Sequence, residues 1–297
     1  MPHHIASEIG EAVEGRKMVA NALATFDRAD DDRGRASCEV VLGEIDYLLG
    51  DHGSARDALH RGARRFKQIG DPLGRAQCLL LLGLIELAEG LLPKARDLLI
   101  EARQEFDGIG YRLGLSQCDV ALAHVDHRAG DFEGARARAQ ATRAALRSLE
   151  NPRGLAAVER LLAMISIDQD DAAAAQRHAT DSLDLYTKLG DPWGIVESRV
   201  LLVQEHLLRG ALEEARLELE ACDQITITEA EPLQHRHLAR AWLSAANGYF
   251  RKAAQALEDA QSVFVDRRRI GDHAPPRPLR FDALRWKEPA GAKVREW

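Results

Sequence analysis

His124 and His127 stand three residues apart with Asp126 between them, so on a helix both imidazoles share one face, where they could hold a metal or a carboxylate. Two ligands do not make a zinc site, and no third lies at a matching position. His235 and His237 flank Arg236 near a helix start and offer less. Four cysteines are present, and Cys38, Cys78 and Cys118 are spaced forty residues apart. In a stack of helical units, neighbours lie about 10 Å apart, beyond the Cα separation of about 7 Å that a disulfide permits. These thiols therefore read as small core residues. No Gly-x-Gly-x-x-Gly follows a strand, and neither a phosphate loop nor a nucleophile motif is found. The expectation is a protein without catalytic residues, cofactor or metal.

The elements that position such residues follow from composition and period. Of 297 residues, 45% are hydrophobic and 29% charged, enough apolar material for a packed core. Aromatics are only 5%, and Ala, Leu, Arg and Glu dominate, which favours helices over sheets. The net charge of −7 argues against nucleic acid as a partner. The N-terminus lacks a secretory pattern, and the longest apolar stretch falls far short of the roughly 18 to 20 residues that span a bilayer. A cytoplasmic protein with no membrane partner is expected.

Written in rows of forty, the chain aligns with itself without gaps. Gly34, Gly74, Gly114, Gly154 and Gly194 share a column, as do Leu42, Leu82, Leu122, Leu162 and Leu202. Ala55, Ala95, Ala135, Ala175 and Ala215 follow, then Phe66, Phe106, Leu146 and Tyr186. Such a period means stacked supersecondary units that cannot bury an apolar face alone. In the second row, Asp71-Pro72 caps and starts a helix A that runs to Ala88 before Gly90, and a helix B runs from Pro93 to Phe106 before Ile109-Gly110. Gly43, Gly83, Ala123 and Ala163 on helix A are expected to face Ala55, Ala95, Ala135 and Ala175 on helix B, so that the helices cross closely.

This pattern resembles the tetratricopeptide repeat: Leu42-Gly43, Leu82-Gly83, Leu122-Ala123 and Leu162-Ala163 on helix A, an alanine twelve positions later on helix B, then an aromatic. It is similar to the longer, forty-residue variety found in bacterial signalling proteins, transcription activators and kinesin light chains. The resemblance implies an all-α, right-handed superhelical solenoid of antiparallel helix pairs over residues 31–265, with repeats starting near 31, 71, 111, 151, 191 and 231. Residues 1–30 would be a half-repeat that serves as a cap or as a contact for a partner, and the aromatic-rich last unit, with Trp242, Tyr249, Phe250 and Phe264, a second cap.

The resemblance also implies that a concave face, built from helices A, binds a protein or peptide. In that register the face carries Gln77, Leu80, Leu84 and Leu87, then Gln117, His124 and His127, then Arg160, Gln204, and finally His237, Arg240 and Asn247. A leucine patch beside His124, His127 and Arg160 suits a peptide with apolar anchors and an acidic group. The same leucines could instead pack on the neighbouring helix. Residues 266–297 form a basic, proline-rich tail: from Arg267 on, nine basic and four acidic residues give a net +5 and leave −12 on the rest. That tail is either solvated or docked on the acidic array or on a partner. The readings that follow are a non-enzymatic binding scaffold, or a regulatory or sensor subunit of a bacterial signalling or transcription system responding to a peptide or small ligand.

Overall fold

The computed structural model describes residues 2–227 and 230–268; the tail beyond Arg268 lies outside the described residues. Thirteen α-helices and no strand occur among them: α1 (Pro2–Ala29), α2 (Asp32–Leu48), α3 (His52–Ile69), α4 (Pro72–Ala88), α5 (Leu92–Gly108), α6 (Arg112–Arg128), α7 (Phe132–Ser148), α8 (Pro152–Asp168), α9 (Ala172–Leu189), α10 (Pro192–Leu208), α11 (Leu212–Asp223), α12 (Ala230–Ala246) and α13 (Phe250–Arg268). The even-numbered helices from α2 are helices A and each packs on the helix B that follows it. α1 packs on α2 in the place a helix B would take.

Connections are set by two local features, of which the side-chain cap is lacking before α5, α6 and α11. A side chain caps the next helix: Asp31 accepts from Gly34 N, Asp71 from Gly74 N, Asn151 from Gly154 N and Asp191 from Gly194 N, at 2.7–3.1 Å. The preceding residue has left-handed backbone, at every twentieth position from 30 to 210 where the sequence supplies Gly, and also at Asp30, Glu150 and Asp170. Both turns of a unit therefore have one geometry.

Packing between units explains the glycine column. The ring of Phe66 lies on the backbone of Gly74, and a Cβ there would meet it at 2.4 Å; Phe26 covers Gly34, Phe106 covers Gly114 and Tyr186 covers Gly194 in the same manner. Inside a unit the helix crossing differs slightly from expectation. Gly83 faces Leu99, 2.7 Å from a would-be Cβ, with the Ala95 carbonyl next at 3.5 Å. Gly43 faces Leu59 likewise, while in the next two units Ala123 clusters with Ala139, and Ala163 with Ala179. The crossing thus pairs none with large or small with small, conserving volume.

Arginines on the odd-numbered helices form a ladder with acids buried on the next helix A. Arg16 pairs with Asp46 at 3.0 Å, Arg56 with Glu86 at 2.8 Å and Arg96 with Asp126 at 2.7 Å. The fourth rung, Arg136, reaches Gln169 instead.

Candidate functional site

Consecutive helices A touch one another from α2 to α12, whereas consecutive helices B make no comparable contact among the described residues. The closer-spaced layer lies inside the curve, so the inner face is made of helices A.

On that face four side chains from four successive helices A form one polar track. His235 Nδ1 on α12 lies 2.7 Å from Glu197 Oε1 on α10, and Arg160 Nη1 on α8 lies 3.6 Å from Glu197 Oε2. The Arg160 guanidinium also sits 5.0 Å from the centroid of the Trp193 ring. Burial alone would raise the Glu197 carboxyl, but His235 and Arg160 hold it below the usual carboxylate range. On α6, His124 keeps some accessible surface inside the concavity; burial, then the positive charge of Arg160, pushes its pKa down to about 3. His124 is therefore a neutral hydrogen-bonding group at pH 7. His127 Nε2 meets Asp168 Oδ2 at 2.6 Å, while its buried Nδ1 has no hydrogen-bond partner among the described residues.

The other expected groove residues divide by exposure. Gln77 and Gln117 are exposed, and Gln204 is half-buried. Leu80 and Leu87 are buried with Ala121, Leu122 and Val125, and Leu84 packs at the edge of that cluster. These leucines thus belong to a core shared with α5 and α6, and only Leu84 keeps partial exposure rather than a broad patch being open.

In the last unit the structure moves the register. The two missing residues fall before α12, in the shortened α11 and its connection, so α12 is shifted by two positions and Glu197 is matched by His235 rather than by His237. Arg240 bonds Asp223 on α11 at 2.6 Å, His237 lies 3.3 Å from Arg240, and Asn247 donates to the Leu243 carbonyl. His237, Arg240 and Asn247 accordingly lie apart from the track, and His235 stands where the spacing argument put His237. Of the aromatics of the last unit, Trp242 packs on the core, Tyr249 and Phe250 are 58% and 67% exposed, and the Phe264 side chain lies outside the described residues.

Trp193 and His235 enter the site although spacing leaves them out. The signal that finds the site is departure from a column: Arg160 stands where Val40, Leu80, Val120 and Val200 make an apolar series. The cysteines match their expectation as buried free thiols, with Cys78, Cys118 and Cys222 pushed up to about 12 by burial.

No family model and no curated protein matches the chain. Solved helical-repeat structures do. RapI in its apo form gives a TM-score of 0.71 at 9% identity, over 88% of this chain and 94% of that one. BtubC (BKLC) from P. vanneervenii gives 0.54 at 16% identity, over 79% and 96%. The fold is a tetratricopeptide-type helical-repeat solenoid.

Proposed function

We propose that the chain is a binding scaffold whose inner face takes up a protein segment or peptide bearing an acidic group. The observation that carries this reading is Arg160. A charge in an apolar column, set against Glu197 and Trp193, adds little stability, because desolvation offsets most of a buried pair's attraction. A ligand carboxylate entering beside it would share or displace Glu197 and gain charge-assisted hydrogen bonds. Neutral His124 supplies a further polar contact, and exposed Gln77 and Gln117 continue the track toward α4.

A regulatory or sensor role is the second reading, favoured by the span of the network. Arg160, Glu197 and His235 tie α8, α10 and α12 together, so a ligand that takes Arg160 alters contacts among three units. No described helix is long and apolar enough to cross a membrane, and free buried thiols suit a reducing cytoplasm.

Capture from cytosol by the full chain and by a chain ending at Val265 separates this reading from recognition by the tail. Capture of the same partner by both, abolished by Arg160→Gln, supports the inner face. Capture that requires residues 266–297 and ignores Arg160→Gln contradicts it.

A further inference from the structure

Where α7, α8 and α9 meet, one unit departs from its neighbours in a second place. In the unit before, Asp119 on α6 is flanked by two arginines, Arg103 at 2.8 Å and Arg138 at 3.7 Å, and the position one turn beyond Arg138 is Ala141. In the unit after, the pair is reversed as Arg199 and Glu218 at 2.5 Å, with Ala221 one turn on. Between them, Glu159 on α8 keeps its first arginine, Arg143 at 2.7 Å, but the second is replaced by His178, whose Nδ1 lies 2.8 Å from Glu159 Oε2. The alanine becomes Asp181. Glu159, His178 and Asp181 place their ligand atoms within 4.8 Å of one another. A permanent positive charge has been removed and a carboxylate added, so two acids and an imidazole converge beside Arg143, where the preceding unit sets one carboxylate between two arginines and the following unit holds a single ion pair.

We propose that Glu159 Oε2, His178 Nδ1 and Asp181 bind a divalent transition metal of the zinc class, with water completing the coordination. His178 and Asp181 are three apart on α9 and so share a face, and Glu159 comes from the facing helix, the way ligands converge between the helices of a bundle. One nitrogen and two carboxylate oxygens suit zinc, cobalt or manganese better than calcium, which takes six to eight oxygens. Arg143 holds Glu159 through Oε1, fixing its rotamer and leaving Oε2 for the ion. On binding, His178 ligates through Nδ1 as the neutral tautomer with its proton on Nε2, and its hydrogen bond to Glu159 is replaced by two bonds to the metal. The ion would clamp α8 to α9 without touching the Arg160 track.

The test is calorimetric titration of the untagged, EDTA-treated and dialysed full chain with zinc chloride. The expected result is one equivalent bound and a raised melting temperature, with affinity weakened about tenfold or more by Asp181→Ala. The double variant His178→Arg/Asp181→Ala rebuilds the arrangement of the preceding unit, so it should fold normally and lose the site. His124→Gln/His127→Gln should bind zinc as the wild type does. No stoichiometric binding, binding that survives in the rebuilt variant, or binding lost only with His124 and His127 would overturn the assignment.

Discussion

Gly83 with Leu99, and Ala123 with Ala139, fill the same crossing with different atoms, and that equivalence can be measured. Gly83→Ala places a Cβ against Leu99 and should cost about 1–3 kcal/mol, and Leu99→Ala alone about 2–5 kcal/mol. The double variant reproduces the Ala123–Ala139 pair, so its loss in urea unfolding should fall well below the sum; strict additivity would show that the two side chains do not share the crossing. His124 predicts a pH dependence. Its folded pKa is depressed, so between about pH 6.5 and 3 the unfolded chain binds a proton that the native chain does not, and stability falls as pH falls. The slope reaches at most about 1.4 kcal/mol per pH unit for this group, and His124→Gln should remove that share. At this scale the sequence disclosed that Arg160 breaks its column, an otherwise apolar series. It did not disclose protonation, because neutral His124 owes its state to burial and to Arg160, one unit away.

At the scale of helices, local chemistry carried most of the information. The Asp-Pro and left-handed residues bracket helix A so tightly that α4 begins and ends where Asp71, Pro72 and Gly90 place it. Asp71 both caps Gly74 N at 3.0 Å and receives Arg33 at 2.5 Å, so Asp71→Ala should lower stability by about 1 kcal/mol, read as a shift in the urea midpoint at constant slope. The arginine ladder was equally present as a column, Arg16, Arg56, Arg96 and Arg136, but a surface arginine on an amphipathic helix gives no sign of reaching a buried acid on the next unit. Arg56→Met should cost about 2 kcal/mol, below the 3–5 of an uncompensated buried charge, because Lys94 still meets Glu86 at 2.7 Å. Adding Glu86→Leu should restore stability; a further loss would mean that Glu86 is needed for another contact. The misplaced register of α12 has a plain cause: a two-residue deletion can sit on either side of a helix, and only the contact of His235 with Glu197 locates it.

For the whole molecule, the forty-residue period was enough to establish an all-α solenoid because every unit repeats the same caps, glycines and crossings. Binding specificity does not repeat, and so it was legible only as exceptions. The contacts join each helix to near neighbours in the chain, which makes the array quasi-one-dimensional. We propose that its inner face, organised by Arg160, binds a peptide. The direct measurement is panning of a random peptide library against the full chain, followed by calorimetry of the selected peptides on the wild type, on Arg160→Gln, and on Gln77→Glu/Gln117→Glu, whose substituted side chains are exposed. The expected result is a consensus with an acidic residue beside an apolar one, bound at least about tenfold more weakly by both variants while their circular dichroism is unchanged. Selected peptides that bind all three proteins equally would place recognition elsewhere and contradict it.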